Sequence, residues 1–423
     1  MKTTFLVLFS LWSLAAGAQC DPTKRPVIFV HGFLASGDTW ANAVHYFKTA
    51  GYCNEQLYAF DWNSVSGSGK ANEENLVQLI DKVRNKTGAQ QVDLVGHSAG
   101  GGLGRNILRD SVQAKKVGRY IHIGSRKWTT SFAWFPNEKC MNIFSAGDRV
   151  AGNGAGPIEG ATNIALTEED HYQVATSNSA LSAMLNFLQP ENKTIPFAAQ
   201  HTDHATIAGR AVLLGDNMPM NAATITIYLL DKKTGARKRT VEAVQLKTSD
   251  SGQWGPAIVR TGHPYEIELV PADTSKKKIS YFFSSFNYDD PLVYLRGFPE
   301  GSRMSALLGK IPEKEDQSVL VIYSATAALI GGRDSVTVND FAVCSPTLTP
   351  ASRTVITSFV FDDGDGISSG KALKQYASAP FIGGVDRMLV AGKRKVHHIY
   401  FNGKTLRLPA APSSERILLA VLK

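Results

Sequence analysis

A serine flanked by glycines is the residue best placed to do covalent chemistry. Residues 96–100 read G-H-S-A-G, with an apolar strand pattern before them and a helical pattern after them. A tight strand-to-helix turn of this kind lifts the serine hydroxyl above the edge of a sheet, and the glycines relieve crowding around it. The N-terminal end of the following helix directs backbone dipoles at a developing oxyanion. We therefore predict that Ser98 is a nucleophile.

A serine nucleophile needs a base and an acid, which follow it in the order serine, acid, histidine in α/β hydrolases. His171 is the histidine that lies late in this part of the chain, whereas His122 lies within an apolar strand pattern that is typical of a core histidine. Asp148 directly follows the strand pattern that precedes His171, so we predict that it orients that ring. The acidic residues 168–170 are the alternative, but side chains adjacent in sequence seldom reach back to a neighbouring ring.

Two backbone N–H groups must face the oxyanion of an acyl-transfer intermediate. In α/β hydrolases one belongs to the residue after the nucleophile and the other to the loop after an early strand. These positions are Ala99 and Phe33, and we predict them as the oxyanion-hole donors. His31 opens the same loop before the serine, and we interpret it as a residue that holds the loop by hydrogen bonds.

The elements that would position these residues alternate between short apolar strands and amphipathic helices. This alternation is typical of a parallel sheet with helices on both faces, so residues 25–190 are predicted to form an α/β-hydrolase catalytic domain. The predicted strands are 27–30, 57–61, 92–95, 120–123 and 141–144, and the predicted helices are 40–50, 73–86, 100–109 and 179–188.

The sequence beyond residue 203 alternates at period two and is interrupted by turn residues, which predicts an all-β C-terminal region. We divide it into a β-sandwich-like domain, 203–300, and a second β unit, 301–423, and the packing of both units as one body stays open. Asn402 and Gly403 predict a tight hairpin turn. The other predicted strands are 224–230, 265–270, 319–323, 354–361, 397–401 and 417–422.

Several segments of the first unit together resemble the minimal, lidless secreted bacterial lipases. These segments are 27–32, 57–61, 88–101 and 145–148, and the β region is similar to the C-terminal domain of some larger archaeal and bacterial lipases. The resemblance implies an α/β-hydrolase fold and a carboxylic ester hydrolase with the triad Ser98, His171 and Asp148. One departure is Gly96, where the small lipases have alanine.

The N-terminus predicts export. Lys2, an apolar stretch at 5–14 and the small residues 16–18 form a signal peptide pattern over residues 1–18, so we expect a secreted or periplasmic protein with no transmembrane segment after cleavage. The cysteines Cys20, Cys53, Cys140 and Cys344 could form one or two disulfides, and their spacing matches no zinc site.

Charge and acidic clusters indicate neither nucleic acid nor metal as a partner. The formal net charge is +8, but no nucleic-acid-binding motif accompanies it. Asp362, Asp363 and Asp365 resemble a calcium loop that lacks the remaining ligands, so we interpret them as a charged hairpin. We expect no metal and no cofactor.

Four large aromatic residues lie in a short segment, 124–140, where larger lipases insert a lid. Trp128, Phe132, Trp134 and Phe135 are more apolar surface than a short turn normally exposes. We predict that they bind substrate and form, with the β region, an apolar channel for an acyl chain. Packing in the core is the alternative.

The predicted function is hydrolysis of acylglycerols or related acyl esters, at a lipid interface or in solution. Two other functions stay open from the sequence. The β region could hold an insoluble polymer, which would make the protein a polyester depolymerase. The hydrolase unit could instead have lost activity and serve as a lipid- or surface-binding protein, although the set Ser98, Asp148 and His171 favours an enzyme.

Overall fold

The computed structural model describes residues 20–191, 202–392 and 395–422, so the predicted signal peptide, 1–18, lies outside the described residues. Among these residues the first unit forms a parallel sheet of six strands in the order β2-β1-β3-β4-β5-β6. The strands are β1 (Val27–Val30), β2 (Leu57–Phe60), β3 (Val92–His97), β4 (Val117–Ile123), β5 (Cys140–Ser145) and β6 (Thr162–Leu166).

Helices cover both faces of this sheet, as the alternating pattern predicted. Val27 and Phe29 of β1 pack in one core cluster with α1 and α6, whereas Ile28 and Val30 pack in another with α2 and α3. The α-helices are α1 (Ala41–Thr49), α2 (Gly69–Thr87), α3 (Ala99–Ile107), α4 (Ser111–Ala114), α5 (Gln173–Thr176) and α6 (Asn178–Leu188). The fold class of the first unit, α/β hydrolase, is confirmed. No helix in the described ranges is both long enough and apolar enough to cross a bilayer.

Local sequence explains where the long helix α2 begins and ends. The Ser68 side chain accepts the N–H of Ala71 at the start, and Gly88 ends the helix with φ +71°. The strand β6 was not predicted; it is a five-residue strand at the sheet edge whose side chains are exposed or only partly buried.

Within the residues that the structure describes, the C-terminal region is all-β apart from one short α-helix and one 3-10 turn at Lys374–Tyr376. Its elements are β7 (His204–Leu213), β8 (Thr224–Leu229), β9 (Val244–Lys247), β10 (Gln253–Arg260), β11 (Tyr265–Val270), β12 (Lys278–Phe283), β13 (Asp290–Gly297), α7 (Arg303–Leu308), β14 (Leu320–Ser324), β15 (Val336–Val338), β16 (Phe341–Ala342), β17 (Val355–Phe361), β18 (Phe381–Asp386), β19 (Val396–Phe401), β20 (Lys404–Pro409) and β21 (Arg416–Leu422).

The two predicted β units share one sheet. An eight-stranded sheet, counted over the described ranges, has the order β18-β17-β14-β21-β12-β11-β8-β9 and so contains strands from both sides of residue 300. Strands β12 and β21 join the halves in parallel, with Ile279 opposite Ile417. Smaller sheets, β10-β7-β13 and β16-β15-β19-β20, complete the region. The two units therefore pack as one body.

Two local predictions about turns and cysteines can be compared with the structure. Asn402 and Gly403 both have positive φ and connect the antiparallel strands β19 and β20, which is the predicted hairpin. Cys20 and Cys53 form a disulfide, whereas Cys140 and Cys344 are buried free thiols.

The β region packs against the edge of the hydrolase sheet where the predicted site residues lie. Leu34, Ala35 and Tyr172 belong to the same core cluster as the interior of the β region. Asp38 makes two hydrogen bonds of 2.9 and 2.6 Å with the buried guanidinium of Arg296. These contacts show that the β region packs against the hydrolase unit beside the loops that carry the predicted site residues.

Candidate active site

The turn from β3 to α3 holds Ser98 in a backbone conformation that most residues avoid. Ser98 has φ +53° and ψ −122°, and its N–H donates to the carbonyl of Ile123 at 2.8 Å. A Cβ on Gly96 would lie 2.6 Å from the carbonyl oxygen of Gly100, so only glycine fits there. Strained φ/ψ values of this kind cost about 1–3 kcal/mol and persist at functional sites where the surroundings hold them.

A chain of hydrogen bonds connects the serine to a buried carboxylate. Ser98 Oγ lies 2.9 Å from His171 Nε2, and His171 Nδ1 lies 2.9 Å from both carboxylate oxygens of Asp148. The His171 side chain is 2% exposed. Because an ionised carboxylate only accepts hydrogen bonds, Nδ1 carries the imidazole proton and Nε2 is free to accept the serine hydroxyl.

Asp148 is held in its charged form. Burial alone would raise its pKa, but the hydrogen bond from His171 and the N–H groups of Val150 and Ala151 outweigh burial and keep the pKa below its usual value. The carboxylate is therefore an anion at neutral pH, beside the ring whose tautomer it selects.

The alternative acids beside His171 have other partners. Asp170 accepts the N–H groups of Tyr172 and Gln173 at 2.8 and 3.0 Å and forms an ion pair of 2.8 Å with Arg333 of the β region. Glu168 is exposed. The structure thus brings Asp148, and not the acidic residues 168–170, to the His171 ring.

The loop after β1 approaches the serine at the predicted position of the oxyanion hole. A Cβ on Gly32 would lie 3.0 Å from Ser98 Cβ, which shows how closely this backbone passes. His31 Nδ1 donates to the carbonyl of Gly32 at 2.8 Å, and in a trans peptide the following N–H, that of Phe33, points the opposite way. Neither the Phe33 N–H nor the Ala99 N–H has an acceptor in the described residues.

His97 also contacts the site and was not singled out from the sequence. Its Nε2 donates to the carbonyl oxygen of His171 at 2.7 Å, and burial together with the neighbouring His171 lowers its pKa to about 3. A neutral His97 therefore anchors the backbone that carries the His171 ring. Its position next to Ser98 is the signal that could have identified it.

Phe381 of the second β unit was also missed. It begins β18, and its ring lies 6.1 Å from the His171 ring at an interplanar angle of 12° and 6.3 Å from the Phe33 ring. Nothing local in the sequence relates it to Ser98, since the packing of the eight-stranded sheet brings it there. The β region thus borders the site through this residue.

The predicted aromatic channel needs correction. Trp128 and Phe135 are buried in the hydrolase core, where Trp128 packs edge-on against His122 at 4.9 Å, and Phe132 is partly buried against Trp128. Trp134 alone of the four is exposed, at 60%. Residues packed inside the core have no surface left for substrate, so core packing describes Trp128 and Phe135. His122 is the expected core histidine.

The acidic residues near 362 form a charged turn. Oxygen atoms of Asp362, Asp363 and Asp365 come within 4.8 Å of one another. Asp362 accepts the N–H groups of Gly364 and Gly366 and lies 3.6 Å from the ammonium of Lys314. The Asp362 carboxylate thus stabilises the turn by accepting its backbone N–H groups.

Comparison with known protein families matches three parts of the chain, two of them to lipase models. Residues 24–121 match the family described as lipase (class 2), residues 203–298 match the lipase C-terminal domain, and residues 309–417 match a further C-terminal domain family. The resemblance to lipases and to their C-terminal domains is confirmed. These matches support a hydrolase of the lipase and esterase group.

Solved structures with similar folds are distant in sequence and cover about two fifths of this chain. A Bacillus licheniformis lipase in its mature form is 16% identical, with a TM-score of 0.33 over 40% of this chain and 94% of that chain. Aspergillus fumigatus lipase B is 13% identical, with a TM-score of 0.32 over 44% and 60% of the two chains. The carboxylesterase CesB from Bacillus subtilis is 13% identical, with a TM-score of 0.30 over 41% and 87%.

Proposed function

We propose that this protein is a serine carboxylesterase of the lipase type, which hydrolyses acyl esters through a catalytic triad of Ser98, His171 and Asp148. The observation that carries the proposal is the unbroken series of 2.9 Å hydrogen bonds from the serine hydroxyl to a buried anion. A serine hydroxyl is a weak nucleophile unless a positioned base removes its proton during attack. That series provides such a base and fixes its tautomer.

The reaction follows from these positions. His171 Nε2 takes the proton of Ser98 as Oγ attacks the ester carbonyl, and the N–H groups of Phe33 and Ala99 donate to the resulting oxyanion. His171 then protonates the leaving alcohol, and the acyl group stays on Ser98. A water molecule, deprotonated by the same histidine, attacks the acyl-enzyme and releases the carboxylic acid. No cofactor is required.

An apolar acyl chain is the substrate group that the surroundings of the serine favour. Phe33, in the loop after β1, is only partly buried, and its ring lies 6.3 Å from the ring of Phe381 of the β region. A charged group would lose hydration among such side chains without gaining a partner. Acylglycerols or related acyl esters therefore fit better than charged substrates.

We also propose that the protein acts outside the cytoplasm, after removal of residues 1–18. The signal pattern and the Cys20–Cys53 disulfide support this location, because disulfides persist mainly in oxidising compartments. The mass of the exported protein measures this directly, and an exported form that retains residues 1–18 would contradict it.

The test of the function is ester hydrolysis by the wild type and by Ser98→Ala. We expect the wild type to hydrolyse a series of p-nitrophenyl esters and to react covalently with a fluorophosphonate probe, and we expect Ser98→Ala to do neither while its circular dichroism is unchanged. A triglyceride emulsion and a polyester film, assayed in parallel, compare lipid with polymer substrates. Probe labelling of another residue in Ser98→Ala would refute the assignment of the nucleophile.

A further inference from the structure

Asn217 belongs to the β region, but its side chain lies inside the hydrolase unit behind the oxyanion loop, which we define as residues 31–36. Asn217 is 6% exposed. Its Nδ2 donates to the carbonyl oxygens of Ala35 and Trp62 at 2.9 and 3.0 Å, and its Oδ1 accepts the hydroxyl of Ser36. One amide thus bonds two residues of the oxyanion loop and the loop beside it.

The same amide also faces His31. Asn217 Nδ2 lies 3.2 Å from His31 Nε2, and the backbone N–H of Trp62 donates to the same nitrogen at 3.3 Å. The two amide protons of Asn217 are shared among three acceptors: the carbonyl oxygens of Ala35 and Trp62 and His31 Nε2. The Trp62 N–H can only donate, so Nε2 must be the unprotonated nitrogen and the proton resides on Nδ1. That proton is the one donated to the carbonyl of Gly32, the bond that turns the Phe33 N–H toward the opposite side of the peptide.

Burial reinforces this arrangement. It lowers the pKa of His31, against the opposing effect of the nearby Asp61, so the ring is neutral and has one acceptor nitrogen. A neutral ring with its acceptor occupied by Asn217 and Trp62 has a single proton to donate, and Gly32 receives it.

The oxyanion loop contains a strained residue that needs external support. Leu34 follows Phe33 directly and has φ +60°, a conformation that L-residues other than glycine, asparagine and aspartate seldom adopt. Its N–H donates to Ser64 Oγ at 3.0 Å, and the next two residues, Ala35 and Ser36, are the ones bonded by Asn217. Such backbone persists only where its surroundings over-determine it.

The turn after β7 holds the Asn217 side chain beside the oxyanion loop. Gly215 has φ +82° and Asn217 has φ +54°, and asparagine is among the few non-glycine residues suited to that region. A Cβ on Gly215 would lie 3.2 Å from Leu34 Cδ2 and 3.1 Å from Val65, which shows that the turn packs directly against the oxyanion loop.

We propose that Asn217 is a positioning residue of the active site, which holds the Phe33 N–H in its oxyanion-binding orientation through His31 and through Ala35 and Ser36. The β region then completes the oxyanion hole and does not merely cover it. This inference rests on the proposed ester hydrolysis.

The test compares two variants in the same turn. Asn217→Gly removes the amide and keeps the positive φ. Asp216→Ala is the matched control, because Asp216 is buried and accepts a hydrogen bond of 3.2 Å from Ser66 of the hydrolase unit, but within the described residues its side chain makes no hydrogen bond to the oxyanion loop. For each we would measure kcat and KM on a soluble p-nitrophenyl ester, the inhibition constant of a boronic acid, and the midpoint of thermal unfolding.

We expect Asn217→Gly to lower kcat at least about tenfold, since removal of one oxyanion-hole donor lowers kcat about 100- to 1000-fold and displacement costs part of that. The boronic acid, whose tetrahedral adduct uses the same donors, should bind more weakly by a similar factor, with KM changed less than about threefold. Asp216→Ala should keep kcat and boronic acid affinity within about twofold of the wild type, even at a similar loss of thermal stability.

If Asn217→Gly had the kcat and the boronic acid affinity of the wild type, the positioning role would be overturned. Equal losses of kcat and boronic acid affinity in Asn217→Gly and Asp216→Ala would also overturn it. If Asn217→Gly does not fold, Ser36→Ala removes one of the same hydrogen bonds within the loop, and unchanged boronic acid affinity there would also overturn it. An inactive wild type is a separate outcome, because it would refute the proposed function itself.

Discussion

Replacement of Asp148 by asparagine should lower kcat about 1,000- to 10,000-fold while the protein stays folded. The carboxylate has two functions here: it selects the tautomer of His171 and it stabilises the imidazolium that forms during attack. Asparagine has nearly the same shape and keeps one oxygen. The change therefore removes charge and an acceptor with little effect on packing.

The orientation of the new amide follows from the backbone. Asp148 Oδ1 accepts the N–H groups of Val150 and Ala151 at 2.9 and 3.0 Å, so the carbonyl oxygen of an asparagine must stay at that position. Its NH₂ group then takes the place of Oδ2, 2.9 Å from His171 Nδ1. The NH₂ group is a donor facing the Nδ1–H, and the carbonyl oxygen, which also lies 2.9 Å from Nδ1, already accepts two backbone N–H groups. The Nδ1–H therefore has a weaker partner, which favours transfer of the ring proton to Nε2 and blocks acceptance of the Ser98 proton.

The expected rate loss corresponds to about 4–5.5 kcal/mol of transition-state stabilisation. The assay is kcat for a soluble p-nitrophenyl ester, with thermal unfolding measured on the same samples. Two neighbouring carboxylates provide controls: Glu169→Gln should change kcat little, and Asp170→Asn should lower stability through its bonds to Tyr172 and Arg333 more than it lowers kcat. A folded Asp148→Asn within tenfold of wild-type kcat, or a larger rate loss in Glu169→Gln, would refute the assignment.

Two further predictions concern stability. Arg296→Leu leaves the buried Asp38 without its two charge-assisted hydrogen bonds, so the free energy of unfolding should fall by about 3–5 kcal/mol in denaturant titration, and a loss below about 1 kcal/mol would contradict this. Burial raises the pKa of Asp93 to about 6 against the opposing effect of Arg25, so the folded state binds this proton more tightly than the unfolded state. The free energy of unfolding of the wild type should therefore fall, relative to that of Asp93→Asn, by at most about 2–3 kcal/mol as pH rises from about 4 to about 6. Parallel pH profiles of the two proteins would contradict this prediction.

Local patterns in the sequence predicted most strands and helices of the hydrolase unit and the chain order of Ser98, Asp148 and His171. The glycines around Ser98 are required because neighbouring backbone atoms approach them too closely for a Cβ. The spacing of apolar residues in each strand and helix reflects which face of that element is buried. Since the carboxyl ends of parallel strands meet at one edge of a sheet, Asp148 after β5 and His171 after β6 were bound to lie near Ser98. β6 itself escaped prediction because it is a short edge strand in which only Ile164 and Leu166 are partly buried.

Contacts between residues far apart in the chain were decided only by the tertiary structure. Asn217, Arg296 and Phe381 reach the hydrolase unit from 155 or more positions away, as in the bond between Trp62 and Asn217, and no local period encodes such a contact. The burial of Trp128 is a similar case, because the local sequence around an aromatic loop residue is the same whether its side chain faces solvent, substrate or core. Backbone sterics and side-chain periodicity are properties of neighbouring residues and can be read from sequence, whereas the surface on which each residue finally packs depends on how whole sheets and loops fit together.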